Sequence, residues 1–217
     1  MVNYNLLSIN EFTYSLKING EFANQLYYTI EKMLKTSHRE YETNSIFFSA
    51  ENVIPLKKYI LDKKNKRISH ATCIKLIDDL SKQIKYLKQL KYGFYGFDIN
   101  DILIIDNCFI FCSAENLLEL DNEYIIFTSL IKLPYFSSPE LINLTSLPSK
   151  INYKCSYYSL GSLIVFLLLD NYLLVGNELK TSKEIDKIIY PLYNTKIYWF
   201  LKRCLDDDIN NRKLLLV

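Results

Sequence analysis

Few residues in this chain have the types and spacing that covalent or metal chemistry needs. The cysteines stand at 73, 108, 112, 155 and 204, and the histidines are His38 and His70. No two cysteines form a CxxC pair, so a zinc site is poorly supported. A Cys-His or Ser-His pair is arithmetically open, but no nucleophile elbow or family signature surrounds either histidine. Glycines occur at 20, 93, 96, 161 and 176. With Gly20 alone before residue 90, no Gly-x-Gly-x-x-Gly turn can hold phosphates close to the backbone there. What remains is a set of charged side chains, and their neighbours decide how they read.

Three stretches supply that context. Phe136-Ser137-Ser138-Pro139-Glu140 is followed by Tyr157-Tyr158-Ser159-Leu160-Gly161-Ser162, and the tail carries Arg203-Cys204-Leu205-Asp206-Asp207-Asp208-Ile209-Asn210-Asn211-Arg212. In that order they resemble three landmarks of the larger lobe of a protein kinase. These are the Ala-Pro-Glu end of the activation segment, the buried Asp-x-Trp-Ser-x-Gly helix and the late Asp-Pro-x-x-Arg turn. The resemblance implies that Glu140 and Arg212 form a buried ion pair tying the activation segment to the helical core. It covers roughly residues 45–214. Heavy use of Ile, Asn, Lys and Tyr fits an AT-rich genome, and the combination is similar to kinase-like proteins of giant DNA viruses.

The same resemblance puts the family's catalytic chemistry on specific residues. Its His-Arg-Asp-Leu-Lys-Pro-Glu-Asn-Ile-Leu segment aligns with residues 94–103. The proton-accepting aspartate becomes Gly96, the neighbouring lysine becomes Asp98, and the metal-binding asparagine becomes Asp101, which can still coordinate magnesium. The metal-binding aspartate after the next hairpin becomes Ser113, which lacks the charge that hard cations prefer. Glu115 is displaced from it and reads as a solvated loop carboxylate. Tyr14-Ser15-Leu16-Lys17 is similar to the family's Val-Ala-Ile-Lys, with Glu21 or Glu31 as helical carboxylates, but Lys17 reads as an ordinary surface or structural lysine. His38-Arg39-Glu40 comes too early for a catalytic His-Arg-Asp and reads as a polar turn. The degenerate catalytic positions are thus Gly96, Asp98, Asp101 and Ser113, with no catalytic, metal or cofactor site retained. A shifted register would instead make Asp98 the base.

Elements must position these residues. Apolar residues at 22, 26, 30, 33 and 34 predict a helix over 21–35. Ile46, Phe47 and Phe48 predict a strand over 44–49, and Val53–Leu61 reads as a short helix with Pro55 in its first turn. Ser69 caps a longer helix whose apolar positions run from Ile74 to Leu90, with Gly93 at its C-terminal end. Ile102–Ile105 and Phe109–Cys112 flank Asp106-Asn107 as a hairpin. Residues 113–136 read as irregular. Helices follow at about 155–169 and 195–205, and elements near 171–195 are expected to be trimmed.

Composition sets the outer bounds. The chain has 217 residues, a net charge of +2 and 49% hydrophobic residues, enough for a real core and no general electrostatic case for nucleic acid. The apolar run Leu160–Leu169 is too short for a membrane span, which needs roughly 20 residues. An odd cysteine count without a signal peptide reads as intracellular, in the cytoplasm of an infected host cell if the protein is viral. The expected fold is α+β and protein-kinase-like, with a reduced N-terminal lobe over 1–52 and a mainly helical C-terminal lobe over 53–217. The expected function is that of a pseudokinase, a protein-binding or regulatory module with weak or absent nucleotide binding and an unidentified protein partner. An unorthodox ATP-dependent kinase using Lys17, Asp98, Asp101 and Glu115, and a structural protein, are the alternatives.

Overall fold

The computed structural model describes residues 3–63, 67–176 and 178–216. The chain begins with β1 (Tyr4–Ser8) and β2 (Thr13–Ile18), then α1 (Ala23–Met33), β3 (His38–Glu40) and β4 (Ser45–Ser49). These strands form one four-stranded antiparallel sheet in the order β1-β2-β4-β3. Tyr27 binds α1 to the sheet. Its hydroxyl accepts from the Ile18 amide at 2.8 Å and donates to the Asn44 carbonyl at 2.7 Å. His38-Arg39-Glu40 is therefore an edge strand and not a turn. Arg39 reaches Asn24 and stacks over Tyr41, so its polarity serves the sheet edge.

Residues 53–61 divide in two. Val53–Pro55 form β5, and the helix α2 spans only Leu56–Leu61, because Pro55 stays extended at its N-cap. The long helix α3 (His70–Gln89) starts where Ser69 accepts a hydrogen bond from the Thr72 amide. It does not end on Gly93. Lys91 adopts the left-handed conformation with φ of 62°, and Gly93 lies inside the next strand, β6 (Tyr92–Phe94).

The 3-10 turn Ile99–Asp101 leads into the hairpin β7 (Ile102–Ile105) and β8 (Cys108–Phe111). Asp106 and Asn107 both take positive φ, as a two-residue hairpin turn requires. The Asp106 carboxylate accepts from the amides of Glu51 and Asn52, which anchors the turn to the segment entering β5. Residues 113–136 are not irregular throughout. They contain β9 (Leu117–Asp121) and β10 (Tyr124–Phe127), turned at Asn122 with φ of 58°. With β11 (Ser149–Asn152) these strands form the sheet β11-β10-β9-β6.

The helix α4 (Pro139–Ile142) precedes α5 (Cys155–Leu169), whose residues 155–168 are all buried. The segment expected to be trimmed holds β12 (Leu174–Val175), β13 (Glu178–Leu179), α6 (Ser182–Ile189) and the 3-10 turn Tyr190–Leu192. Thr181 and Glu184 form a reciprocal capping box at the start of α6. The helix α7 (Lys196–Cys204) packs so closely on α5 that a Cβ at Gly161 would lie 2.9 Å from Leu205 Cδ2. Among the described residues, no helix is long and apolar enough to cross a membrane.

One polar seam holds α3, β8 and α1 together. Strand β8 pairs with β7 along one edge only. Its other edge is met by side chains one helical turn apart on α3. Asp79 accepts from the Phe109 amide at 3.0 Å, and Gln83 accepts from the Phe111 amide at 2.8 Å. The Gln83 Nε2 group donates to the Phe111 carbonyl and to Thr29 Oγ1 on α1. Four residues rise about 6 Å along a helix and two residues about 6.7 Å along a strand, so the two spacings match. Gln83→Leu strands the buried Phe111 amide and carbonyl together, while the Thr29 hydroxyl keeps its bond to the Leu26 carbonyl. It is expected to lower stability by about 2–4 kcal/mol in denaturant unfolding, since each buried unsatisfied group costs roughly 1–3 kcal/mol.

Candidate functional site

The charged residues picked out by sequence separate into two places. One is a cavity of about 550 Å³ lined by the 95–101 segment, by Glu115 and Asn116, by residues 132–135 and by Asn3. The other is the junction of α4, α5 and the C-terminal tail.

The cavity wall at 95–101 is held on two sides. Ser159 on α5 accepts from the Phe97 amide at 2.8 Å. On the other side, the Tyr95 amide donates to the Asn116 carbonyl, and Asn116 Nδ2 donates to the Gly96 carbonyl at 3.1 Å. Asp98 caps the 3-10 turn by accepting from both the amide and the side chain of Asn100 at 2.8 and 2.7 Å. Both bonds fall on Oδ1.

Gly96 sits against the opposite wall. A Cβ built there would lie 2.6 Å from Pro134 Cγ and 2.9 Å from its Cβ. The proline ring occupies the space any side chain at this position would need.

Asp101 is only 4% exposed, yet it lines the cavity, and its Oδ1 atom has no hydrogen-bond partner. Burial, then the charges of Asp98 and Glu115, push its carboxyl up to about 7, while the N-terminal charge and then a hydrogen bond from Ser113 pull the other way. Ser113 is fully buried and accepts from Asn3 Nδ2 at 3.0 Å. It faces the start of β1 and is not a lining residue of the cavity. Glu115 is exposed at the rim, as a loop carboxylate should be.

Lys17 does not join this group. It is the exposed residue between buried Leu16 and Ile18 on β2, and among the described residues it forms no ion pair with Glu21, Glu31 or any other acid. The cavity therefore unites Asp98, Asp101 and Glu115 without Lys17. Sequence reasoning missed Asn3, Lys132 and Tyr135. The last two follow the strands hidden in a segment read as irregular, and Asn3 carries no local motif. Among the described residues, no three His, Cys, Asp or Glu side chains lie close enough to hold a metal ion.

At the second place, Arg212 is completely buried. Its guanidinium makes a bidentate pair with Glu140, at 3.0 and 2.6 Å, and its Nε donates to the Asp206 carbonyl at 2.8 Å. The ring of Tyr158 lies 5.0 Å beneath it. Glu140 comes from the first turn of α4, Tyr158 from α5, and Asp206 from the turn after α7. The pair thus joins three elements that are distant in sequence.

No protein-family model matches the chain, and no curated protein matches it.

Two outcomes are expected. Glu140→Ala leaves a buried guanidinium without its anion and lowers stability by about 3 kcal/mol, less than a fully buried pair because the Glu140 side chain keeps 24% exposure. A loss of under about 1 kcal/mol, the range of exposed pairs, would count against this account. Asp101→Asn acts in the opposite direction. A carboxyl raised in the folded state destabilises it progressively as pH climbs from the ordinary carboxylate range to about 7, and fully above that. The variant should match the parent near pH 4 and exceed it by on the order of 1–4 kcal/mol near pH 8. Urea unfolding at both pH values checks the crossover.

Proposed function

We propose that this chain is a degenerate relative of the protein kinases that has lost phosphoryl transfer and acts as a protein-binding or regulatory module. The observation that carries the reading is Gly96 under Pro134. At the position where the resemblance expects a proton acceptor there is neither a side chain nor room for one. Phosphoryl transfer depends on positioned charge, and removing one member of a catalytic unit already costs orders of magnitude in rate.

Other features support the same reading. The order of elements is that of the resemblance: an antiparallel sheet with one helix inserted, a long helix, a loop, a small hairpin, a variable segment, Pro139-Glu140 and a buried helix. The first sheet has four strands, in keeping with a reduced first lobe. Buried Ser113 stands where a metal-binding carboxylate is expected, and Lys17 faces outward. Nucleotide binding is accordingly weak or absent. A binding role draws on the surface near α7, where Tyr190, Tyr193, Tyr198 and Trp199 form a run of ring contacts at 5.7, 5.3 and 5.1 Å. Tyr190, Tyr193 and Trp199 are largely exposed, and exposed aromatic rows of this kind are enriched at protein interfaces.

Asp98 in the cavity favours one second reading, that of an unorthodox kinase with Asp98 as base. Labelled ATP with Mg²⁺ or Mn²⁺ and generic protein substrates separates the two. The expected result is no transfer by the parent chain and none by Gly96→Asp, which is also expected to unfold at a lower temperature because its side chain must displace Pro134. Transfer by the parent that Asp98→Asn abolishes would overturn the proposal and install Asp98 as the base.

A further inference from the structure

We propose that the exposed aromatic row between α6 and α7 docks an acidic, proline-containing peptide segment of a partner protein. The inference deepens the reading of the chain as a protein-binding module and rests on that part of it, not on kinship with kinases.

The row runs Tyr190, Tyr193, Tyr198 and Trp199, with neighbouring ring centroids 5.7, 5.3 and 5.1 Å apart. Tyr190 keeps 65% exposure, Tyr193 50% and Trp199 48%. Rings of this size dominate the energetics of interfaces that bury them. Their support is already ordered. Ile189, Leu192 and Ile197 are buried beneath the row, and Thr195 caps α7 by accepting from the Tyr198 amide at 3.1 Å. Docking on a pre-ordered face loses less entropy than docking on a loose one.

Charge decides the occupant. Residues 187–205 contain Lys187, Lys196, Lys202 and Arg203 and no aspartate or glutamate. Lys202 is neutralised by Asp186 at 2.7 Å, and Arg203 donates to the Leu215 carbonyl. Lys187 and Lys196 are exposed and form no ion pair among the described residues. Glu184, one turn before Lys187, feels its charge but accepts from the Thr181 amide and hydroxyl instead. Lys187 lies three residues before Tyr190, and Lys196 three before Trp199. Side chains three apart share a helix face, so an unpaired ammonium stands beside each end of the row. Lys196 opens α7, where the helix dipole favours an acid, so its charge does not serve the helix.

Ring geometry favours a peptide over a nucleic acid, the other common polyanion. Successive bases need open ring faces to stack on. Tyr190 and Tyr193 are parallel to within 17° and already stacked on each other, and the next two steps turn by 78° and 82°. The row is a series of corners, not a platform. Corners of aromatic rings seat the prolines of an extended polyproline II chain, which has little conformational freedom left to lose. Carboxylates flanking those prolines then pair with Lys187 and Lys196.

Trp199 is the single tryptophan of the chain, so its fluorescence reports on this face. The full chain is titrated at low salt with blocked peptides of Glu-Pro-Pro repeats, blocked peptides of Lys-Pro-Pro repeats, and oligouridylate. The Glu-Pro-Pro peptide is expected to change the emission saturably, with half-saturation below about 1 mM, and to bind more weakly as salt is added. Lys196→Glu should weaken that binding by about tenfold while raising the unfolding midpoint, a split that loss of folding cannot produce. Tyr193→Ser, at an exposed position, should weaken it by about tenfold with the fold unchanged. The proposal is overturned if the Glu-Pro-Pro peptide does not bind, if oligouridylate alone binds, or if both variants bind the peptide as the parent does. Equal binding of the Lys-Pro-Pro peptide would also overturn it while leaving the binding-module reading intact. Phosphoryl transfer by the parent chain would instead remove that reading whatever the peptides do.

Discussion

A guanidinium with no access to water is the constraint from which the helical half of this molecule is organised. Arg212 cannot shed its charge, so its burial is tolerable only where acceptors surround it. Glu140 supplies a matched pair of oxygens, the Asp206 carbonyl takes Nε, and Tyr158 gives a ring face. Each partner belongs to a different element. Satisfying one side chain therefore sets the position of α4, the rotation of α5 and the path of the tail after α7. α5 in turn can be buried on every side only if those neighbours are in place. Its Ser159, directed at Phe97, then fixes the loop that forms one cavity wall. The cavity is thus downstream of the ion pair through a continuous set of contacts.

The other half of the support comes from α3. Hydrophobic packing alone would let a helix slide along a strand, since apolar contact is not directional. Asp79 and Gln83 remove that freedom by binding alternate amides of β8. Gln83 also donates to Thr29, so the same side chain sets the distance between α1 and the hairpin. Asn3, just before β1, adds a contact to buried Ser113. In this way the N-terminal sheet is docked by polar contacts at defined places, and Asn3 is brought to the cavity rim.

Periodicity made the helices legible. The spacing of Ile74 to Leu90 and the cap at Ser69 give α3 closely, and the unbroken apolar run gives α5 as a buried helix. Turn chemistry did the same for the hairpin at Asp106-Asn107. The failures share a cause. Leu117–Asp121 and Tyr124–Phe127 flank Asn122 as two short strands, but three-to-five-residue strands carry little periodic signal. Gly93 looked like a helix stop because glycine favours left-handed φ, whereas Lys91 took that conformation and Gly93 entered a strand. At the site, Asp98 and Asp101 could be aligned from local sequence. Their association with Lys132 and Tyr135 depends on how the 128–138 segment folds back, which no local pattern encodes. Lys17 shows the converse, since a motif-like run of four residues says nothing about which face of β2 its lysine occupies.

The two charged places carry opposite energetic signs. Glu140 and Arg212 satisfy each other, so each stabilises the fold as long as the other is present. Asp101 forms no ion pair among the described residues. It is buried, it faces two like charges, and one of its oxygens accepts no hydrogen bond. Asparagine would fill the same volume without the charge penalty, and so would be preferred if packing were the only demand on position 101. Gly96 offers the Asp101 cleft no side chain, and Lys17 is exposed on β2 away from it. That cleft has one wall fixed by the Phe97 amide on Ser159 of α5, the helix whose Tyr158 lies beneath buried Arg212.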